Sequence, residues 1–475
     1  MQTRLFLTTY FSVLFFMSSC GYMFKPNERK EVKFPTIGTP QAFELDDPDC
    51  DLGSTKPKFS NQVTIWMIDK NGELNKQVFD LSNVSRAGLE STAISEALYS
   101  EQDIDQRQFT LNSKPQFASQ FKDKRALNAI KEEHKNGVFK RINFCREDGG
   151  YRADSIENAA LAAFVAINET NRVHNILQLK PGTKKSLNKI KLIVHPKLFA
   201  MESLYLKKYY VDNAFWADLG SFQIITILPH SLEWEDSNKL RFWETPGVFS
   251  HEYGHHIFHT YGPSVEYPSK RLMYHQQFSR INNGFNEGFA DLISYYSLSF
   301  RQQLNPALLL SGQTHGHQNR DVNTPSLKYE TSSFQLSISK KYDSLVAEIL
   351  GSTFTYELNS SDYEGYLIQE CHESGAIMAY VFNKLLDGYG YRHMPHKKME
   401  LIIAWLHKQE ASMRITGNLT SPHTHLDSAL NGMFELLDGI QIQSGLQHLS
   451  IKEKDDLIFE LFPHYYSSWA KKVEQ

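Results

Sequence analysis

The chain has 475 residues, 41% hydrophobic and 22% charged, which suits a globular protein with a real core and is too long for one simple domain. Its 50 Lys and Arg stand against 54 Asp and Glu, a net charge of -4 with no basic stripe, so nucleic acid is not an expected partner. With 31 Phe and 23 Tyr the composition also excludes long-range disorder.

At the N-terminus, Arg4 precedes the apolar run "LFLTTYFSVLFFM" at 5–17. The run is short of the ~20 residues that span a bilayer and reads as a secretory signal, 1–19. The following "MSSC" resembles a bacterial lipobox, which implies cleavage before Cys20 and lipidation of its thiol. The resulting expectation is export to the bacterial cell envelope, with the acyl chains as the only membrane contact. An outer-membrane or periplasmic face is favoured over the cytoplasm.

Residues 20–60, rich in proline and charge and without periodicity, read as a tether. Within it Asp46, Asp47, Asp49 and Asp51 read as solvated acids, with calcium binding as the alternative. "QVTIWMID" and "KQVFDLS" flank Asn71-Gly72 and predict a hairpin. Residues 61–150 are thus expected to form a small β-containing N-terminal domain or an appendage packed on the next domain. Export permits disulfides, and Cys50 with Cys145 is the expected pair, since both lie outside the motif-bearing region. Cys371 reads as a small buried side chain.

Asp154 and Glu157 fit a capping box for a helix beginning near 155, with Ala159, Ala163, Phe164 and Ile167 at helical spacing. "KIKLIVHP" at 189–196 and "GSFQIITIL" at 220–228 read as strands, and helical patterns dominate after 245. This order predicts an α+β fold, with a sheet-and-helix lobe followed by a mostly helical lobe over 151–475.

Thr245-Pro246 starts a helix and Gly262 fits its stop, enclosing "FSHEYGHHIFHTYG" at 249–262. His251 and His255, four residues apart, project from one face and can grip one ion. Glu252 is turned by ~100°, beside the ion rather than on it, where a general base belongs. His256 is rotated away from His255, and His259 lies ~12 Å along the axis from His251, so both read as structural or surface histidines. A third metzincin-type histidine would stand at 261, which is Tyr. In "NNGFNEGFADLISYY", Glu287 and Asp291 share a face flanked by the small Ala290 and Ser294, which allow close approach to the histidine helix. Phe285, Phe289, Leu292, Ile293 and Tyr296 form the opposite, core-facing stripe. Glu287 is the expected third ligand, leaving an open position, and Asp291 the expected acceptor for a ligand ring N–H.

These segments resemble the thermolysin-like gluzincins. "HEYGH" is similar to the family's two-histidine helix, and "NEGFAD" to its Asn-Glu-x-x-x-Asp helix, implying Glu287 as ligand and Asp291 as the residue that orients His251. "DNAFW" at 212–216 resembles the family's substrate-binding edge segment, implying Asn213 and Ala214 as substrate-binding residues. "CHESGAIMAY" at 371–380 resembles the His-x-x-Ser-Gly helix entry and implies His372 as oxyanion donor. Here only Glu373 separates the histidine from Ser-Gly, where the family has two residues, so Tyr261, Tyr267, Tyr274, Tyr295 and Tyr296 stand as alternative donors. The resemblance implies one zinc ion, admits calcium without a clear ligand cluster for it, and implies a polypeptide substrate.

The expected activity is zinc-dependent cleavage of peptide bonds in extended polypeptides, with Glu252 as general base and His372 on the oxyanion. The alternatives are a lipid-anchored binding or assembly protein with an inactive peptidase fold, and a zinc hydrolase of a non-peptide bond.

Overall fold

The computed structural model describes residues 44–105, 119–177, 187–203, 206–211, 213–230, 242–262, 272–301, 322–323, 371–412, 432–440, 450 and 452–454. The expected signal peptide, Cys20 and the tether up to residue 43 lie outside them. The described part is a mixed α+β structure built on a five-stranded sheet.

That sheet contains β3 (Ile94–Tyr99), β5 (Lys140–Arg141), β6 (Ile190–Val194), β9 (Ala214–Asp218) and β10 (Gln223–Ile227), in the spatial order β5-β3-β6-β10-β9. The three central strands run parallel, and β5 and β9 pair antiparallel at the two ends. Both faces of the centre are buried, which explains the near-continuous apolar runs. Ile190, Leu192 and Val194 of β6, with Ile225 and Ile227 of β10, enter the main core. Ile193 and Ile224 point the other way, into a second cluster with Ala129 and Ile130 of α1 (Ser119–Lys135). The remaining strands make a hairpin, β1 (Val63–Ile68) with β2 (Leu74–Phe79), and a three-stranded sheet of β4 (Asp103–Asp105), β7 (Lys197–Ser203) and β8 (Leu206–Tyr209). The expected hairpin is present, and its Asn71-Gly72 turn is held by the Asp69 carboxylate, which accepts the amides of Asn71 and Glu73 at 2.8 and 3.0 Å.

The main core is covered by helices. α2 (Ile156–Leu177) is buried on all sides over its first three turns, where "AALAAFVAI" offers little bulk and lets neighbours close in. Against it pack α3 (Pro246–Tyr261) and α4 (Leu272–Leu298); α5 (Cys371–Gly388) packs on α4, and α6 (Pro395–Ser412) touches α2, α3 and α4.

The segments on the two sides of residue 150 share a sheet and a core: β3 and β5 pair into the sheet that holds β6, and the hairpin side chains Val63, Ile65 and Met67 join the α2–α4 core. Two expectations are corrected. The capping box is not formed. Ser155 Oγ caps α2 by accepting the Asn158 amide at 3.1 Å, while the buried Glu157 carboxylate accepts the amides of Asp46 and Asp47 at 3.0 and 3.1 Å. The acids at 46 and 47 are not solvated either. Asp46 pairs with Arg152 and Arg146, and Asp47 with Arg146. The end of the tether is therefore clamped to the body, and the expected Cys50–Cys145 disulfide locks it there. Closing a ring with a sequence separation of 95 is worth about 4–5 kcal/mol on the chain-entropy account.

Candidate metal centre

Pro246 at the first turn starts α3, as expected, although Thr245 makes no side-chain cap bond. At the far end Gly262 has φ -76°, so it is not a left-handed stop; its amide returns to Phe258 O, and its bare Cα is needed because a side chain would strike that carbonyl.

α3 is fixed in rotation by polar contacts inside the core. Ser250 Oγ meets Thr170 Oγ1 of α2 at 2.9 Å, and that hydroxyl also meets Ser297 Oγ of α4 at 3.0 Å. Tyr253 O–H donates to Asn171 Oδ1 at 2.9 Å. These contacts turn His251 and His255 toward α4.

α4 is brought close by small residues, as Ala290 and Ser294 led us to expect. A Cβ on Gly254 would lie 2.7 Å from Ala290 Cα, so the two backbones are nearly in contact. Ser294 Oγ donates to Gly247 O at 2.9 Å. α5 presses on α4 from another direction, since a Cβ on Gly375 would lie 2.8 Å from Gly288 N and closer still to Glu287. Glu287 is thus positioned by bare backbone on two helices. Phe285, Phe289, Leu292, Ile293 and Tyr296 are all buried, as their stripe predicts.

The result is a compact, buried group. Its ligand atoms on His251, Glu252 and His255 lie within 4.8 Å of one another, and this group can hold a metal ion. His251 Nε2 is 3.2 Å from Glu287 Oε2, and His255 Nε2 is 3.6 Å from Glu287 Oε1. On the other side of each ring, His251 Nδ1 is 2.8 Å from Asp291 Oδ1 and His255 Nδ1 is 3.0 Å from Asn286 Oδ1. A neutral imidazole has one N–H. With that N–H on the Nδ1 side of each ring, where Asp291 and Asn286 offer an acceptor oxygen, each Nε2 would turn a lone pair toward a carboxylate oxygen. Lone pairs facing a carboxylate repel unless a cation lies between them. Two ligands of one tetrahedral ion at about 2.0–2.1 Å would be about 3.3 Å apart, close to the separations seen.

Asp291 therefore sits where the sequence puts it, against His251. Asn286 was missed: the spacing logic looked for carboxylates, and a neutral amide adjacent to Glu287 carries no such signal. Glu252 is held differently from His251, His255 and Glu287. Its Oε2 accepts the backbone N–H of Trp216 at 2.7 Å, which ties it to β9. The sequence marks Trp216 only as part of the edge segment.

The remaining candidates are more scattered. Ala214 opens β9, which is the last strand of the sheet among the described residues. Asn213 turns its Oδ1 onto the Ala214 amide at 2.9 Å, a local bond. His372 is in the first turn of α5, but its side chain lies outside the described residues, as does Tyr267 and the side chain of Tyr274. Tyr261 is buried and stacked on His174, and Tyr296 donates its hydroxyl to Asn383 Oδ1 at 2.7 Å, so both serve the core. Tyr295 O–H accepts from Asn323 Nδ2 at 2.7 Å. His256 is buried, with Nε2 3.0 Å from Asn188 O, and His259 is half exposed beside Asp218, so neither shares the metal group.

No model of a known protein family matches the chain, and no curated protein does. The arrangement must be judged on its own chemistry. Two imidazoles and a carboxylate form a cradle on three sides, with a second carboxylate alongside and an extended strand edge next to it.

Proposed function

We propose that the protein is a zinc metallopeptidase of the thermolysin-like gluzincin kind, cleaving extended polypeptides. The observation that carries this reading is the pair of imidazole Nε2 atoms facing Glu287, each ring having an acceptor oxygen within 3.0 Å of its Nδ1. His251, His255 and Glu287 would hold the ion, and this donor set with an open position suits zinc. When bound, zinc supplies Lewis acidity toward water and a carbonyl. Glu252, anchored by the Trp216 amide, takes a proton from the attacking water at its carboxylate and hands it to the leaving nitrogen. Asp291 and Asn286 keep each ring in the tautomer that leaves Nε2 open. The edge of β9 receives the substrate as an added strand through main-chain bonds, with Asn213 and Ala214 at its start. His372 is the proposed oxyanion donor; its backbone lies in the turn of α5 that leads to Gly375, which abuts Glu287.

Export and lipid anchoring through Cys20 belong to the same proposal. The Cys50–Cys145 disulfide supports an oxidising compartment. Among the described residues no helix is long and apolar enough to cross a membrane. The lipid tether is proposed from the "MSSC" segment alone.

The test is Glu252→Gln. The variant is expected to bind one zinc as the parent does and to lose at least about a hundredfold in cleavage of an unstructured protein, the contribution of a general base. Parent-like cleavage by the variant would remove Glu252 from the mechanism. Zinc binding without cleavage of any polypeptide by the parent would favour a binding protein or a hydrolase of another bond.

A further inference from the structure

β9 carries information beyond its role as an edge. In an antiparallel pair, alternate residues turn their N–H and C=O toward the partner and the others turn away. Asn213 O accepts the Leu228 amide, and the Leu219 amide donates to Phe222 O, so the odd-numbered residues face β10. Ala214, Trp216 and Asp218 face outward. The Trp216 amide, engaged by Glu252, agrees with this assignment.

Side chains alternate as well. Phe215, Ala217 and Leu219 pack in the second core cluster, on the face away from α3. Trp216 and Asp218 lie on the α3 face, where the Trp216 ring is 4.9 Å from the ring of His259 and 6.3 Å from that of His256. The Asp218 carboxylate is held in place by the Gly220 amide at 2.7 Å and by Gln223 Nε2 at 3.3 Å, with His259 Nε2 also at 3.3 Å. Partial burial alone would push this carboxyl up, but those hydrogen bonds hold it below the usual range. Its side chain remains 34% exposed, and that of His259 54%. It is a fixed anion, open to solvent, beside an indole ring.

An added strand lies about 4.8 Å from the edge, and residues directly opposite one another share a face. The substrate residue opposite Trp216 is next to Glu252, hence next to the reacting bond. The residue two positions along the substrate, opposite Asp218, directs its side chain to the same α3 face.

We propose that Asp218, with Trp216 and His259 beside it, forms a specificity subsite for a basic side chain two residues from the one opposite Trp216. This rests on the peptidase reading. A lysine or arginine there brings a permanent charge to the Asp218 carboxylate and lays its stem or guanidinium on the indole.

The experiment uses the zinc-loaded full chain and a set of unstructured peptides in which each position within three residues of the cleaved bond carries Lys, Arg, Ala or Glu in turn. One position is expected to favour Lys and Arg over Ala by about five- to tenfold in kcat/KM, the size of a partly exposed ion pair with a cation–π contact. In Asp218→Asn that ratio is expected to fall to about one, and in Asp218→Lys the same position is expected to favour Glu. If Asp218 merely tethers β9 to α3, both variants would slow all peptides alike, and the inference fails. It fails equally if the parent shows no basic preference at any position. Peptide Kd values measured on the Glu252→Gln chain provide a readout that does not need turnover, and the same ranking is expected there. Binding without a basic preference overturns this inference alone, whereas no peptide binding at all overturns it together with the peptidase reading.

Discussion

Two sets of buried histidines stand in neighbouring helices, His251, His255 and His256 in α3 and His174 in α2, and behave in opposite ways. His251 and His255 face the Glu287 carboxylate and have acceptors behind both rings. His174 and His256 are buried as deeply, but His174 stacks on Tyr261 and His256 rests against Tyr253 and the Asn188 carbonyl. Burial pushes His174 and His256 down to about 4. Burial alone thus makes a histidine a neutral packing element. His251 and His255 differ in having an acceptor beside Nδ1 and a carboxylate facing Nε2, the arrangement that can hold a metal ion.

That contrast is open to attack from both sides. The largest effect is expected from the packing set. His174 has a folded pKa near 4 against 6.5 for an ordinary histidine, so the folded state refuses a proton that the unfolded chain accepts. Above pH 7.5 both states are neutral and the group has no effect. As pH falls through 6.5 toward 4, stability is lost, by about 3 kcal/mol over that window. His174→Phe keeps a ring against Tyr261 and removes the titration. Unfolding free energies measured across pH 4 to 7.5 should show the parent losing about 3 kcal/mol more than the variant; parallel curves would mean that His174 is not held neutral by burial.

Next comes the contact that places the anion of the metal set. Gly375→Ala forces a Cβ into Glu287 and the Gly288 amide, and overpacking of this kind costs about 1–3 kcal/mol. Zinc affinity, measured by competition with a chelator, should fall up to about a hundredfold. The same change at Gly439, where a Cβ meets nothing within 4 Å, should leave it unaltered. Equal losses at both positions would deny that the α4–α5 contact sets the cradle.

The smallest effects are expected behind the rings. Asp291→Ala and Asn286→Ala remove the Nδ1 acceptors, and such losses lower metal affinity by about 10- to 100-fold. Asp291 should lie toward the upper end because it carries charge, and Asn286 toward the lower. If titration with zinc gave parent-like affinity for Asn286→Ala, the tautomer of His255 would have to be set by something else.

Legibility in the sequence followed how local each interaction is. The four-residue spacings of His251 with His255 and of Glu287 with Asp291 are properties of a helix, and the structure aims them at one another. The Asn71-Gly72 turn is local in the same way. Glu157 shows the opposite case. Its position fits a capping box, but two amides from more than 100 residues away reach its carboxylate, and Ser155 takes over the cap. The parallel pairing of β3 with β6 across residue 150 was hidden for a related reason, because it joins segments whose compositions differ. Neither of these long-range pairings leaves a trace in the periodicity of the segment that makes it.

The amino-acid order by itself determined which side chains share a helix face: His251 with His255, Glu287 with Asp291, and the apolar stripe opposite them. Helical geometry repeats every 3.6 residues whatever surrounds it. Only the tertiary structure decided that these two faces meet. Glycine at 254 and 375 lets backbones approach where any side chain would part them, and the distance between helices is a property of both partners at once. The tie from Glu252 to Trp216 and the outward turn of Asp218 are decided there too, because a strand edge exists only once its neighbour is in place.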